Sequence, residues 1–222
     1  MNARGTTAEL FADHADYEPA TEALAEGAVV LRRFVSNDDQ ALLSALRELI
    51  VAAPLRHMLT RGGYRMSVAM SNCGRAGWLS DRSGYRYDCT DPATGRAWPA
   101  MPEAFTDIAV RAATQAGFDD FVPDACLLNS YAPGARMSLH QDRNERDFAA
   151  PIVSVSLGLP AVFLFGGAKR SDRPLRCPLE HGDVVVWGGP ARLAFHGVAP
   201  LADGTHRLLG RQRINLTFRT AL

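Results

Sequence analysis

At 222 residues the chain is most simply one domain, long enough to bury a substantial core. Its formal net charge of zero gives no global footprint of a polyanion partner, so any nucleic-acid contact must be made by a local patch. No apolar run approaches the roughly 20 residues that span a bilayer, and no long apolar stretch marks a leader. Four cysteines, Cys73, Cys89, Cys126 and Cys177, lack Cys-x-x-Cys spacing, which predicts reduced thiols in a cytoplasmic protein without a membrane association.

Along the chain, the first two dozen residues are rich in Ala, Thr and acidic residues without periodicity, and residues 1–25 are expected to be loosely ordered. From Asp38 to Ala53, Leu42, Leu43, Leu46, Leu49 and Ile50 fall on one helical face, with Ser36 and Asn37 as candidate caps. Residues 56–98 then mix strand-like alternation with glycines. Seven Arg stand against three Asp there, a net of plus four, interleaved with Tyr64, Trp78, Tyr85, Tyr87 and Trp98. Basic and flat aromatic side chains together suit phosphates and stacked bases, although a loop whose aromatics pack on the core has the same composition. A second helix should start near Pro102, bury Phe105, Ile108, Ala109 and Ala112, and end at Gly117. After Asp124 come short apolar strands at 126–131, 152–159, 161–165, 183–187, 193–198 and 213–219, separated by Pro and Gly. Many short strands with turn signals predict a sandwich or barrel, with no repeat and no second domain.

Two of these segments carry chemistry. His140-Gln141-Asp142 puts two metal-ligating side chains two residues apart, on one side of an extended segment. His196 follows 54 residues after Asp142. Two imidazoles and one carboxylate form the facial triad of Fe(II) oxygenases, which leaves coordination positions open; zinc is the inert competitor. The strand Arg213–Arg219 sets Arg213, Asn215, Thr217 and Arg219 on one face and Ile214, Leu216 and Phe218 on the other. Two guanidinium forks about 20 Å apart at their Cα atoms could converge on a short dicarboxylate such as 2-oxoglutarate. A surface His-x-Asp pair and a solvated β face are the bland alternatives. The order of the parts, paired ligands, distal His and then the Arg strand, favours the site.

These residues resemble the AlkB-type Fe(II)- and 2-oxoglutarate-dependent dioxygenases, which remove alkyl groups from nucleobases. The resemblance runs from about Gly27 to Arg219. It includes Met66–Gly74, Trp98–Pro102, Leu127–Ala135, Ser138–Asp142, Pro151–Pro160, His181–Gly189 and the Arg213–Arg219 strand. It implies a mostly β fold with flanking helices: a double-stranded β-helix, or jelly-roll, core with residues 56–98 as a nucleotide-recognition lid. It also implies that His140, Asp142 and His196 hold Fe(II), and that Asn129, Tyr131, Arg213, Asn215 and Arg219 bind 2-oxoglutarate, with Arg213 on the distal carboxylate. On the substrate side, Trp78 would stack on a flipped base, with Tyr85, Tyr87, Thr60, Met70 and Arg170 around it. His14, His57, His181 and His206 match nothing catalytic. One departure stands out. Many relatives carry Asp-x-Asp-Glu where this chain reads Asp142-Arg143-Asn144-Glu145. An amide donates and accepts where a carboxylate only accepts, so Asn144 bears on base preference.

The activity so implied is oxidative demethylation of N1-methyladenine and N3-methylcytosine with Fe(II), 2-oxoglutarate and O2, a direct-reversal repair reaction. The expected partner is alkylated DNA, with RNA as a further polymer, preferably single-stranded. No obligate protein partner is expected, and a monomer is the default. Two alternatives stand beside this: a 2-oxoglutarate oxygenase of RNA, protein or a small molecule, and a non-catalytic jelly-roll that keeps the metal for structure. A binding module has no need of an Arg clamp.

Overall fold

The computed structural model describes residues 20–222. Two strands, β1 (Thr21–Ala25) and β2 (Ala28–Leu31), precede helix α1 (Asp39–Ala52). Strands β3 (Arg56–Leu59), β4 (Arg65–Gly74), β5 (Gly77–Asp81), β6 (Gly84–Asp88), β7 (Thr90–Asp91) and β8 (Arg96–Ala97) lead to α2 (Glu103–Gln115). The second half comprises β9 (Ala125–Tyr131), β10 (Met137–His140), β11 (Ile152–Gly158), β12 (Ala161–Phe165), β13 (Leu175–Leu179), β14 (Val184–Trp187), β15 (His196–Val198) and β16 (Arg213–Arg219).

An eight-stranded sheet in the order β1-β2-β14-β11-β16-β9-β4-β3 faces a four-stranded sheet, β10-β15-β12-β13. Period-2 alternation sorts the large sheet's side chains between two cores. Val153, Val155, Leu157, Val184, Val186, Ile214, Leu216 and Phe218 pack with α1 and α2 residues such as Leu42, Leu46, Phe105 and Ile108. The opposite face of the same strands, including Ile152, Val185 and Trp187, meets Phe163, Phe165 and Val198 of the smaller sheet. The jelly-roll with two helices on one sheet is therefore the observed architecture.

Several sequence expectations are corrected. Thr21–Ala25 is an edge strand in register with β2, and Glu22 pairs with Arg32 at 2.7 Å, so the expected looseness does not reach this far. The rest of that expectation, and His14, fall on residues 1–19, outside the described residues. Helix α1 has Asp38 at its N-cap without a side-chain bond. Ser36 does not cap, because its hydroxyl donates instead to the Arg33 carbonyl. The strand expected over 193–198 is only His196–Val198. Upstream, the Gly189–Ala191 3-10 turn and contacts from Leu193 to Gln141 and from Phe195 to Gly167 occupy the backbone groups a ladder would use. Residues 56–98 divide: β4 pairs along β9 inside the large sheet, whereas β5–β6 and β7–β8 form separate two-stranded sheets.

Candidate metal and cosubstrate site

β10 and β15 are neighbours, and their register sets His140 directly opposite His196. Asp142 sits just beyond the end of β10, in a stretch without regular structure. The three side chains thus meet from two places in the chain. Their ligand atoms all lie within 4.8 Å of one another, and this is the only such group among the described residues. Asp142 Oδ1 is 3.6 Å from His140 Nε2, and Oδ2 is 3.8 Å from His196 Nε2. Each imidazole is oriented by its other nitrogen: His140 Nδ1 lies 2.9 Å from the Ser138 carbonyl, and His196 Nδ1 lies 3.0 Å from that of Ala194. A carbonyl only accepts, so Nδ1 carries the proton and Nε2 presents its lone pair to the shared centre.

The protonation states suit cation binding. Burial, reinforced by the neighbouring His140, lowers His196 to about 4, which keeps it neutral near pH 7. Burial would raise Asp142, but Arg219 and the two imidazoles hold it well below the ordinary carboxylate range. A neutral imidazole and an ionised carboxylate are the states a metal requires. The donor set, oxygen plus nitrogen without thiolate, fits Fe(II).

Beside the triad, β16 turns its polar face into the space between the sheets. A narrow cavity there is lined by Asn129, Tyr131, His140, His196, Arg213, Asn215, Thr217 and Arg219, among others. Arg213 is 2% exposed and donates from Nη2 to Ser156 Oγ at 3.1 Å. Its Nε and Nη1 have no partner. Burial pulls this guanidinium below its ordinary value, against the opposing influence of Tyr131 and Asp183. A buried fork with two idle donors costs stability by itself and is complementary to a carboxylate. Asn129 Oδ1 is likewise unpaired, while its amide donates to Asn215 Oδ1 at 3.3 Å. Asn215 is held by Ser154 Oγ at 2.7 Å. At the other end of the strand, Arg219 Nε donates to Asp142 Oδ2 at 2.9 Å, so the second guanidinium stands against the triad. The unpartnered donors of Arg213 are complementary to a carboxylate, and the residues fit 2-oxoglutarate.

Sequence reasoning passed over Ser154, Ser156 and Trp187. Ser154 and Ser156 interrupt an otherwise apolar strand at alternate positions, opposite Thr217 and Asn215, and that alternation was the available signal. Trp187 packs its ring 4.9 Å from that of His196. Nothing local in the sequence distinguishes it from an ordinary core tryptophan.

A wider cavity of about 460 Å³ opens on the exposed side of His140, lined by Tyr85, Gln141, Arg143, Asn144, Arg170 and Phe195. Of the expected substrate residues, Tyr85, Asn144 and Arg170 come together here. Trp78 stacks on Tyr85 with centroids 5.5 Å apart and planes 17° from parallel. The other three differ from expectation. Met70 is fully buried opposite Asn129, in the sheet core, and offers a substrate no surface. Thr60 accepts from the Tyr64 amide in the β3–β4 turn and does not line the cavity. Tyr87 directs its hydroxyl away, to Glu145 Oε1 at 2.7 Å.

Similarity to known proteins points to one family. Residues 27–219 match the model of the 2OG-Fe(II) oxygenase superfamily. The chain is 58% identical over 207 residues to the alpha-ketoglutarate-dependent dioxygenase AlkB of Escherichia coli (strain K12), covering 93% of this chain and 96% of that one. A more distant relative, the DNA N(6)-methyladenine demethylase ALKBH1C of Arabidopsis thaliana, is 31% identical across 87% of this chain and 48% of its own. The solved structure of OsALKBH1 superposes with a TM-score of 0.78 at 30% identity, covering 90% of this chain and 99% of that one. From family match, identity and triad together, the chain belongs to the AlkB-type branch of the 2OG-Fe(II) oxygenase superfamily, a dioxygenase that works with Fe(II), 2-oxoglutarate and O2.

Proposed function

We propose that this enzyme removes methyl groups from ring nitrogens of nucleobases, with N1-methyladenine and N3-methylcytosine in DNA as its main substrates and RNA as a second polymer. The observation that carries the reading is the position of the triad. On one side lies the narrow, anion-seeking Arg213 cavity; on the other lies a wider pocket lined by Tyr85, on which Trp78 stacks, and by Arg143 and Arg170.

His140, Asp142 and His196 would hold iron. Bound iron, with O2 and 2-oxoglutarate, supplies the oxidation: one oxygen atom enters the N-methyl carbon, and the other enters succinate as CO2 leaves. Arg213, braced by Ser156, takes the remote carboxylate, and Asn129 and Asn215 line the path between it and the triad. Arg219 holds the Asp142 carboxylate in place. On the opposite side, stacking on Trp78 and Tyr85 compensates a base for leaving its strand, which costs less from a single strand. Methylation at N1 of adenine or N3 of cytosine makes the base cationic, and an aromatic face favours that cation. The hydroxylated carbon then departs as formaldehyde and restores the pairing edge. The four free thiols fit a cytoplasmic setting, and no helix among the described residues is long and apolar enough to cross a membrane.

The test is an anaerobically purified, Fe(II)-loaded sample given 2-oxoglutarate, ascorbate, O2 and an oligonucleotide bearing either base, followed by mass spectrometry. Loss of one methylene mass, dependent on both iron and cosubstrate, is expected. Succinate formation without any loss would retain the oxygenase and refute the substrate.

A further inference from the structure

Among the described residues, Glu145 is the only carboxylate that pairs with both Arg192 and Arg219, yet it lines neither cavity. Its side chain is 2% exposed. Oε1 accepts from the Tyr87 hydroxyl at 2.7 Å and lies 3.3 Å from Arg219 Nε. Oε2 faces Arg192 Nη2 at 3.3 Å, an ion-pair contact without hydrogen-bond geometry. The three partners come from unconnected places: Tyr87 from the β5–β6 hairpin, Arg219 from the end of β16, and Arg192 from just after the 3-10 turn.

Each partner leads onward. Arg219 grips the Asp142 carboxylate. Arg192 donates from Nη1 to the Asp142 backbone carbonyl at 2.9 Å and from Nε to the Ala150 carbonyl at 2.9 Å, tying down both ends of a segment with no ladder of its own. Tyr87 sits in β6 across from Trp78 in β5, the ring that stacks on Tyr85. Burying one carboxylate among two guanidinium groups is a costly arrangement that packing alone does not call for.

We propose that Glu145 is a positioning residue: it fixes Arg219 and the Asp142 segment for metal and cosubstrate, and it latches the β5–β6 hairpin to them through Tyr87. Order at the cosubstrate site and closure of the aromatic hairpin are then one coupled event. The proposal rests on the reading of the triad and Arg clamp given above. Coupling is reciprocal, so whatever tightens the hairpin also tightens ligand binding by the same factor.

The test is hydrogen exchange by mass spectrometry on the full chain, alone and with Mn(II) plus 2-oxoglutarate under anaerobic conditions, alongside calorimetric titration of 2-oxoglutarate. In the unsubstituted protein, amides of residues 77–88 should gain protection when the ligands bind. Tyr87→Phe removes only the latch hydroxyl. It should speed exchange in the ligand-free hairpin about tenfold, the loss of one hydrogen bond to a charged group. It should also abolish the ligand-dependent gain and weaken 2-oxoglutarate by the factor of the lost gain. Glu145→Gln should further speed exchange across residues 141–151 and weaken Mn(II). Hairpin exchange like that of the unsubstituted protein in Tyr87→Phe, with and without ligands, overturns the proposal, and this variant decides the matter even if Glu145→Gln does not fold. Absence of Mn(II) and 2-oxoglutarate binding to the unsubstituted protein would instead refute the site reading, while exchange in the ligand-free protein still tests the latch.

Discussion

Replacing Arg213 by methionine should separate what this side chain costs the protein from what it does for a ligand. The guanidinium is buried with Nε and Nη1 unpaired and a single bond to Ser156. Exchanging a poorly compensated buried ion for an apolar side chain of similar volume is neutral or stabilising, so the melting temperature of the ligand-free variant should hold or rise. With Mn(II) and 2-oxoglutarate at about 100 times its Kd, the unsubstituted protein gains about 2.7 kcal/mol. At about 2–4 °C per kcal/mol for a domain of this size, that is a rise of roughly 5–10 °C. Losing one partner of a buried charge pair costs about 2–5 kcal/mol, a Kd at least about 30-fold weaker. At the same ligand concentration the variant should then retain less than about 1 kcal/mol, a shift of no more than about 3 °C. Anaerobic scanning calorimetry measures both quantities. A variant that melts lower without ligand and keeps the full 2-oxoglutarate shift would refute the reasoning, making Arg213 a structural residue.

Other consequences follow from the same contacts. Trp78→Ala should lower kcat/KM for methylated oligonucleotides about tenfold, the value of one base stack, with the 2-oxoglutarate shift intact in the same calorimetric assay. Asn144→Asp should raise kcat/KM for the cationic bases by up to about fivefold, measured by competition between N3-methylcytosine and an uncharged methylated base; Asn144 is exposed, which limits the gain to that of a surface charge. Burial raises the Asp91 carboxyl, but its bonds from Arg56 and the Ala93 amide outweigh this and hold it below its ordinary value. A depressed folded-state value gives stability that is present above the unfolded value near 4 and is lost as pH falls through the folded one. Asp91→Asn should therefore cost about 1–3 kcal/mol at pH 7 in urea unfolding, with the difference shrinking below about pH 4.

The sequence by itself determined those features written in local periodicity. Alternation in Arg213–Arg219 assigned each side chain to a face before any partner was known, and the structure keeps that assignment, with Ile214, Leu216 and Phe218 in the helix-covered core and Arg213, Asn215, Thr217 and Arg219 on the cavity. Both helices were legible from their apolar stripes to within two residues at each end. His140, Asp142 and His196 were legible because ligand chemistry restricts residue types, and family resemblance supplied their grouping. Tertiary structure decided which faces meet. Met70 and Tyr87 share the alternating, aromatic-rich character of the 56–98 segment, yet one is sealed in the sheet core opposite Asn129 of β9 and the other is turned onto Glu145. Ser154 and Ser156 became clamp supports only because β11 lies beside β16. Glu145 stands in the sequence only as the last residue of the Asp142-Arg143-Asn144-Glu145 run, and its burial follows from Arg192 and Arg219, 47 and 74 residues further along the chain. A strand's own pattern fixes the direction of its side chains, because backbone geometry is local. The partner across a sheet or a cavity is set by nonlocal packing, which no window of the sequence contains.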